Sequence, residues 1–492
     1  MSHVESSAPA PHHGRKSLHP ILVMILVIAA AAVLTYLTPA GSFARHGDLV
    51  QPGTYHTITK TGGLAAFFAG APSTTEHTKA APEKAAAAKA GPAKADKTPV
   101  RAASLAAIFV SVPLGLVKNA ALIFMVMFVG GMFGVLRKTG AIDAAADRLI
   151  HATSGNTYIL VPILMVVLAA GSTFLGFISE YLVLIPLVAI VGERLGYGPI
   201  FAAAVVGVAA KIGYATSVTN PLALIVAQPL AHVPIFSGLA FRLVLFVVFL
   251  IVGIAYVMLY LRSPSARAET AATIPPESKL TFRQSAVLLS LVPAGVLLVL
   301  GSALWNWHEN EIAAYYLALS LVFALIGGLG AGKAADAFVD GLKNMMLAAL
   351  LIGLAGAVQI LLEQSHVLDT LIYDATNFVN GHARAVIANE LMGIEMLLGV
   401  LIPSTSGKVA VSMPILAPIA QLSGVSGQTT VLAFVLGNGL TNMITPTSGM
   451  LLAYLATARV SFTEWLRFIA PLFVVLLVLS VAALAVAVGI GY

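Results

Sequence analysis

Long apolar runs, separated by short polar stretches, follow one another along most of the chain. Each run is long enough, or nearly so, to cross a bilayer as a helix, which takes about 20 mainly apolar residues. The pattern therefore predicts an all-α polytopic membrane protein. The runs cover residues 21–37, 120–136, 243–261, 284–303, 312–330, 345–362 and 466–490.

Two polar, helix-breaking stretches lie within apolar surroundings, one in each half of the chain. The first break covers residues 216–221 (Thr-Ser-Val-Thr-Asn-Pro), and the second break covers residues 441–449 (Thr-Asn-Met-Ile-Thr-Pro-Thr-Ser-Gly). Inside a membrane, unwound backbone is tolerated only where it is buried in protein or lines a wet cavity. A matched pair of broken helices is typical of the binding site of a secondary transporter.

Landmarks recur at a common offset of 225 residues, which indicates a duplicated unit. The number of spans between the landmarks predicts that the second copy enters the membrane from the opposite side. We therefore expect two repeats that are inverted about the membrane plane, as in many secondary transporters. The paired landmarks are Asn119 with Asn344, Pro221 with Pro446, and Arg242 with Arg467.

A small polar cluster precedes each break. The first tip covers residues 171–176 (Gly-Ser-Thr-Phe-Leu-Gly), and the second tip covers residues 403–407 (Pro-Ser-Thr-Ser-Gly). Apolar arms around a small polar tip predict a re-entrant hairpin. Two hairpin tips and two broken helices are thus expected to converge on one site, with freed carbonyls for a cation and helix N-termini for an anionic group.

The remaining segments divide the chain around the two repeats. Arg15 and Lys16, just before the first span, place the N-terminus in the cytoplasm under the positive-inside rule. A stretch rich in Ala, Lys and Pro without apolar periodicity predicts a disordered insert. The predicted segments are a cytoplasmic tail at 1–19, a first transmembrane helix at 20–38, a loop at 39–104 with the disordered insert at 72–104, membrane repeat 1 at 105–261, a central linker at 262–282 and membrane repeat 2 at 283–492.

Composition narrows the class of protein further. The chain is 59% hydrophobic and only 10% charged, whereas a soluble globular protein carries about 25% charged residues. It has no cysteine, which excludes disulfides and cysteine-ligated metal sites. The net charge of +6 forms no basic surface apart from the membrane pattern, so we expect a small-molecule substrate and membrane lipid as partners and no nucleic acid. No catalytic motif occurs, and neither an enzyme nor a cofactor other than a coupling ion is expected.

Three ionisable residues lie inside apolar runs, where a charge is costly and usually faces a cavity or a partner. Lys408 directly follows the second tip, which favours capture of a substrate carboxylate. Glu180 follows the first tip by four residues, which favours contact with an amine or proton coupling. Lys211 lies most of two turns before the first break and is not favoured. The alternative for these residues is a snorkelling lysine or a structural ion pair.

Neutral oxygens and amides complete the predicted site, and they suit Na⁺ as well as a polar solute. The alternative is that Ser and Thr repair backbone hydrogen bonds beside the prolines. The predicted substrate-binding residues are Ser172, Thr173, Glu180, Ser217, Asn220, Ser404, Thr405, Ser406, Gly407, Lys408, Asn442, Thr447 and Ser448. The predicted Na⁺ ligands are Ser217, Thr219, Asn220, Asn442 and Thr445.

The tips and breaks resemble those of the YfcC-type carriers, which group with the DcuC-like C4-dicarboxylate carriers and the aminobenzoyl-glutamate transporters in the ion transporter superfamily. The resemblance implies a scaffold and a transport domain, elevator-type alternating access, a homodimer and a bacterial inner membrane. It also implies that the tips and broken helices hold Na⁺ or substrate. Relatives often have two adjacent acidic residues after the first tip, where this chain has Glu180 alone. The matching residues are 39–41, 213–217, Asn220-Pro221, Gln228, 403–408, Met413-Pro414 and 442–449.

The sequence therefore predicts a secondary transporter for a small carboxylate-bearing solute, such as an amino acid, a short peptide or a C4-dicarboxylate, coupled to Na⁺ or H⁺. One alternative is an exchanger of basic amino acids in which Glu180 contacts the substrate. A passive channel is less favoured, because tips that meet a closed midplane site predict slow, saturable flux.

Overall fold

The computed structural model describes residues 20–46, 49–51, 53–70, 100–153, 155–267, 281–305, 307–378 and 382–492. The predicted tail, most of the predicted insert and the middle of the predicted linker lie outside these residues. The described chain is mostly helical. Six of its helices are long and apolar enough to cross a membrane, namely Ala120–Lys138, Thr157–Leu175, Leu239–Arg262, Glu309–Gly327, Ala331–Gln364 and Phe462–Gly489.

A small β unit follows the first helix. Helix α1 covers Pro20–Leu37, strand β1 (Ala40–Ser42) pairs antiparallel with β4 (His56–Ile58), and β2 (Arg45–His46) pairs with β3 (Leu49–Val50). Helix α2 (Leu64–Phe67) then ends the described part of this unit.

The end of the predicted disordered insert is held in place by hydrogen bonds. The Thr61 amide donates to the Val100 carbonyl at 3.1 Å, and the Ala103 amide donates to the Thr35 hydroxyl at 2.9 Å. The prediction of disorder up to residue 104 is therefore wrong for residues 100–104, because these residues pair with the β unit and with α1.

The first half contains nine further helices in its described residues. A 3₁₀ turn at Ser179–Val183 precedes α7, and a π-helical turn at Ala203–Gly207 joins α8 to α9. The helices are α3 (Leu105–Lys118), α4 (Ala120–Lys138), α5 (Ala141–Ala152), α6 (Thr157–Leu175), α7 (Leu184–Arg194), α8 (Ile200–Ala202), α9 (Val208–Thr216), α10 (Pro221–Leu230) and α11 (Leu239–Arg262).

The second half follows a similar order of elements. In each half a helix, a tip, a second helix, a broken helix and a long terminal helix succeed one another. The helices are α12 (Phe282–Leu304), α13 (Glu309–Gly327), α14 (Ala331–Gln364), α15 (Val367–Phe378), α16 (Arg384–Leu401), α17 (Thr405–Leu422), α18 (Gly427–Ile444), α19 (Gly449–Thr457) and α20 (Phe462–Gly489).

Helices α3 and α4 pack on α14 through small residues. A Cβ atom added to Gly115 would lie 2.3 Å from the Gly353 carbonyl oxygen, and one added to Gly341 would lie 2.1 Å from the Gly130 carbonyl oxygen. Glycines allow this backbone approach, which is the usual way that helices associate within a membrane. Helix α14 continues through Asn344, whereas the chain breaks between α3 and α4 at its counterpart in the first half.

The two broken helices pack directly against each other by the same device. A Cβ atom added to Gly439 of α18 would lie 2.2 Å from the Ala215 Cα atom of α9. Helix α9 also packs on α6, where a Cβ atom added to Gly213 would lie 2.4 Å from the Ala169 carbonyl oxygen. Close packing of α6, α9 and α18 therefore places tip and break segments from both halves in one region.

Candidate functional site

The first break separates α9 from α10. Ser217 adopts the left-handed conformation with φ of 41°, which ends α9, and Pro221 begins α10 at a position where its missing N–H costs nothing. The Asn220 amide donates to the Ser217 hydroxyl at 3.3 Å, and both side chains are buried. Two predicted site residues therefore lie together inside the protein at the unwound point.

The first tip is bound to the first break. The Thr173 hydroxyl accepts the Val218 amide at 3.0 Å, and the Thr173 carbonyl accepts the Thr219 amide at 3.1 Å. The Thr219 hydroxyl in turn donates to the Phe174 carbonyl at 2.9 Å. These threonines thus satisfy freed backbone groups, which is the alternative role considered above. Contact of Thr173 or Thr219 with substrate or Na⁺ stays a prediction.

The second break is held by a similar set of hydroxyl contacts. The Thr447 hydroxyl donates to the Val400 carbonyl at 2.8 Å and lies 2.7 Å from the Thr445 hydroxyl. Ser448 caps α19, and its hydroxyl donates to the Asn442 side-chain oxygen at 2.9 Å. Val400 lies near the end of α16, so this break is bound to the helix that leads into the second tip.

The same backbone carbonyl is satisfied in both breaks. The Arg242 guanidinium donates to the Val218 carbonyl at 3.2 Å and to the Ser237 carbonyl at 2.7 Å. The Trp465 indole N–H donates to the Met443 carbonyl at 2.8 Å. Val218 and Met443 are related by the 225-residue offset, and each donor lies on the long helix that follows its break. A freed carbonyl therefore receives a buried side-chain donor in both halves, although the donors differ in type.

The halves meet in a hydrogen-bonded cluster. The Tyr214 hydroxyl of α9 contacts the Thr405 hydroxyl of the second tip, and the Asn438 amide of α18 donates to both, at 3.0 Å and 3.3 Å respectively. The sequence interpretation included Thr405 but missed Tyr214 and Asn438. The available signals were that Tyr214 lies inside the matching motif at 213–217 and that Asn438 lies one helical turn before Asn442.

The other residues of the second tip begin α17. Ser404 caps this helix, and its hydroxyl accepts the Gly407 amide at 3.2 Å. The side chain of Ser406 lies outside the described part of the chain. The N-terminus of α17 thus lies at the second tip. The partial positive charge of a helix N-terminus attracts an anionic group.

Lys408 forms a buried ion pair with Glu395. Its ammonium lies 3.5 Å from the Glu395 carboxylate, donates to the Glu395 carbonyl at 3.1 Å and lies 5.4 Å from the centre of the Phe434 ring. Both charged side chains are buried. The arrangement matches the structural ion pair considered as the alternative to carboxylate capture by Lys408. The sequence interpretation missed Glu395 as the partner, although the two residues stand on opposite arms of one tip.

Glu180 lies within the 3₁₀ turn after the first tip. Its carboxylate accepts the Ile178 amide at 3.0 Å and the Ser179 hydroxyl at 3.2 Å. The Tyr454 hydroxyl of α19 donates to the Ile178 carbonyl. Glu180 therefore stabilises a turn that also accepts a hydrogen bond from the second half of the chain.

Lys211 is buried within α9 and has a different environment. Its side chain is 2% exposed, and its ammonium lies 5.9 Å from the centre of the Tyr454 ring. Within the described residues, no carboxylate and no hydrogen-bond acceptor contacts this ammonium. The Ser172 hydroxyl donates to the carbonyl of the adjacent Ala210 at 2.7 Å, which places Lys211 beside the first tip.

Comparison with known proteins identifies the family of this chain. The chain matches the family model of DcuC, the C4-dicarboxylate anaerobic carrier, over residues 18–489. The chain belongs to the DcuC family. It is also 31% identical over 395 residues to the putative basic amino acid antiporter YfcC of Escherichia coli (strain K12), which covers 75% of this chain and 78% of that protein. The predicted resemblance is thereby confirmed, and this DcuC-family chain is a multi-pass membrane transport protein.

Other relatives cover a similar share of the chain. An uncharacterized protein of Haemophilus influenzae is 27% identical over 392 residues, covering 76% of this chain and 77% of that protein. Among solved structures, the YdaH transporter of Alcanivorax borkumensis is 17% identical with a TM-score of 0.43, covering 96% of this chain and 99% of that chain. MtrF of Neisseria gonorrhoeae, from a class of antimetabolite efflux pumps, is 18% identical with a TM-score of 0.40, covering 96% of both chains.

Around the breaks of this DcuC-family chain, buried positive side chains outnumber buried negative ones. Asp369 is already paired with Arg45, at 2.6 Å, beside the β unit. Near the tips and breaks, the buried charged side chains of the described residues are Lys211, Arg242, Lys408 and Glu395. With the half-buried Glu180 after the first tip counted, three bases and two acids leave one positive charge in excess in this region, which suits a negatively charged solute.

The predicted Na⁺ ligands fall into two groups, one at each break. The described residues contain no group of three or more His, Asp or Glu that could hold a metal ion. A cation here would therefore depend on neutral hydroxyl, amide and backbone oxygens, which are the usual Na⁺ ligands in broken-helix transporters. The residues are Ser217, Thr219 and Asn220 in the first break, and Asn442 and Thr445 in the second.

Proposed function

We propose that this member of the DcuC family is a secondary active transporter of a small carboxylate-bearing solute, coupled to Na⁺ or H⁺. The solute class comprises amino acids, short peptides and C4-dicarboxylates. The observation that carries the proposal is the excess of buried positive charge where the two broken helices pack together. Buried charges within a membrane are costly and are kept where a partner or a transported ion offsets them.

The proposed mechanism is elevator-type alternating access, with two inverted repeats that each supply one re-entrant hairpin and one broken helix. The hydrogen bond that the Val218 amide of the first break donates to Thr173, and the one that Thr447 donates to Val400, support movement of each tip together with its break. The glycine-mediated packing of α3 and α4 on α14 supports a separate scaffold. We further propose a homodimer in a bacterial inner membrane with the N-terminus in the cytoplasm.

Uptake into proteoliposomes tests the function directly. Purified protein is reconstituted and offered labelled acidic amino acids, dipeptides and C4-dicarboxylates under an imposed Na⁺ gradient, an imposed proton gradient or neither. We expect saturable uptake of at least one acid that is faster under one of the gradients. Uptake of no acid in the panel would contradict the proposed substrate class, and equal uptake under all three conditions would contradict the coupling.

The asparagines at the breaks are predicted to be required for uptake. We expect Asn220→Ala and Asn442→Ala each to reduce the initial rate by about tenfold or more, the effect of losing one or two amide contacts worth about 1 kcal/mol each. Asn442 donates to the carbonyl four residues before it, at 2.9 Å. Asn389→Ala is the matched control, because Asn389 makes the same kind of bond, at 2.8 Å, but lies near the start of α16. Equal rates in the three variants, at equal protein levels, would exclude a special role for the break asparagines.

Exchange of basic amino acids is the second candidate function. It is favoured by the name of the Escherichia coli relative and by the carboxylate of Glu180 after the first tip. The same proteoliposomes, loaded with unlabelled arginine or lysine, distinguish the two candidates by counterflow. Counterflow of labelled arginine without uptake of any acid would favour exchange. Large single-channel currents in planar bilayers would contradict both candidates, because a carrier turns over slowly.

A further inference from the structure

Two lysines are buried near the tips, and their surroundings differ in one decisive respect. Lys408 has an internal counter-charge in Glu395, 3.5 Å away. Lys211 has only the face of the Tyr454 ring at 5.9 Å, with no carboxylate or acceptor among the described residues. Lys408 is therefore compensated by the protein itself, and Lys211 is not.

An uncompensated buried ammonium is unfavourable, because it loses its hydration without gaining a partner of opposite charge. Attraction to an aromatic face offsets only a small part of this loss. A lysine at such a position is therefore expected to have a partner that is absent from the protein alone. An anion that can reach α9 would supply this partner, because its charge would favour the protonated form of the buried lysine.

The position of Lys211 indicates where that partner binds. Helix α9 leads directly into the first break, and the Ser172 hydroxyl of the first tip donates to the Ala210 carbonyl beside Lys211. Tyr454, which faces the ammonium, belongs to the helix that follows the second break. Lys211 thus lies among the first tip, the first break and the second broken helix.

The backbone before Lys211 supplies an independent observation. Residues Ala203–Gly207 form a π-helical turn between α8 and α9, and all five are buried. Such turns are rare, and they occur frequently at functional sites because they widen a helix locally and redirect the side chains that follow. The irregular turn ends four residues before the unpaired lysine.

We propose that Lys211 is the residue that pairs with the carboxylate of the transported solute, and that Lys408 is a structural partner of Glu395. This inference rests on the proposed function and assigns its anionic group to one side chain. Burial of Lys211 is then offset when the solute binds. The chain recognises acids over the corresponding carboxylate-free amides through this single contact.

The test compares each acid with its amide in wild-type and variant proteoliposomes. The probes are aspartate, glutamate and succinate, each compared with its diamide, so that no amide in the panel carries a carboxylate. We expect the wild type to transport at least one acid with a lower KM than its amide. In Lys211→Met this preference should fall by about 10- to 100-fold, the range for loss of one charge-assisted hydrogen bond. Lys211→Arg, which keeps the charge, should retain most of it.

Lys118→Met is the matched control, because Lys118 forms a half-exposed ion pair with Glu363 at 2.7 Å. It should keep the wild-type preference. Melting curves and size-exclusion profiles establish that each variant is folded, and Lys211→Gln replaces Lys211→Met if the latter is not.

The outcomes distinguish failure of this inference from failure of the proposed function. An unchanged acid-over-amide preference in folded Lys211→Met or Lys211→Gln would overturn the inference and leave the proposed function standing. Loss of that preference in a Lys408→Met, Glu395→Met double variant, with Lys211→Met unaffected, would assign the carboxylate to the other lysine. Transport of no acid by the wild type would overturn the proposed function and the inference with it.

Discussion

At the scale of single residues, the Lys408–Glu395 pair has consequences for stability. Both side chains are buried, and the ammonium lies 3.5 Å from the carboxylate, which is an ion-pair contact longer than a hydrogen bond. Removing one member of a buried pair leaves an uncompensated charge and costs about 3–5 kcal/mol, whereas replacing both with apolar residues is often neutral. The pair therefore predicts opposite effects for single and double substitutions.

We expect Glu395→Gln to lower the melting temperature of the purified protein strongly, because Lys408 loses its counter-charge. Lys408→Met combined with Glu395→Met should restore much of the lost stability. Intrinsic fluorescence during heating measures both variants, with Glu363→Gln, in a half-exposed pair, as a control that should change little. A small effect of Glu395→Gln, or no recovery in the double variant, would show that the pair carries little of the folding energy.

The breaks and tips could be predicted at this scale because helix-breaking residues in apolar sequence are visible in the order of amino acids. The environments of Lys211 and Lys408 could not be predicted from the sequence. Glu395 and Lys408 lie on different helices, and only the turn at the second tip brings them together. Lys211 was disfavoured for its distance along α9 from the break, although its lack of a partner is a property of the folded neighbourhood.

At the scale of secondary-structure elements, close approach of helices depends on glycines, because a glycine has no Cβ atom. Gly439 of α18 lies against the backbone of α9, where an added Cβ atom would be 2.2 Å from Ala215 Cα and 2.4 Å from Ala215 Cβ. Neither neighbouring atom is the flexible end of a side chain. An alanine at this position must therefore separate α9 from α18.

We expect Gly439→Ala to destabilise the protein by about 1–3 kcal/mol, as overpacking usually does, and to reduce uptake because the two broken helices move apart. Gly393→Ala is the matched control. Gly393 lies inside α16 with no atom within 4 Å of an added Cβ, so alanine there should be neutral or stabilising by up to about 1 kcal/mol. Equal melting temperatures and uptake rates in the two variants would refute the packing argument.

The sequence also predicts some secondary-structure elements better than others. Hydropathy identifies long apolar helices such as α4, α11 and α20, because length and composition alone define them. The counterparts at the first landmark differ, since α14 is continuous through Asn344 while a break separates α3 from α4 at Asn119. Whether a helix continues across an asparagine is decided by packing, which here includes a contact from the Asn119 amide to the Ile352 carbonyl at 3.4 Å.

At the scale of the whole molecule, an apolar cavity of about 250 Å³ lies between the proposed hairpin and the proposed scaffold. Helix α7, which follows the first tip, contributes Leu187, while α12 and α13 contribute Leu298 and Leu319. A boundary lined by aliphatic side chains has few directional contacts, so sliding along it breaks few hydrogen bonds. Such a boundary fits a hairpin that moves against a fixed scaffold.

A covalent link across this cavity is predicted to stop transport. The chain has no cysteine, so Leu187→Cys with Leu319→Cys introduces the only two thiols, and a bifunctional thiol reagent with a cleavable disulfide joins them. If α7 moves relative to α13 during each cycle, uptake should fall in proportion to the linked fraction and return when the link is reduced. Leu298→Cys with Leu319→Cys is the matched control, because both positions line the same cavity from α12 and α13, which pack on each other, and α13 also packs on α4 of the proposed scaffold. Its linked form should transport normally. Full uptake by the linked Leu187–Leu319 pair would exclude movement of this hairpin against α13, and with it the elevator mechanism.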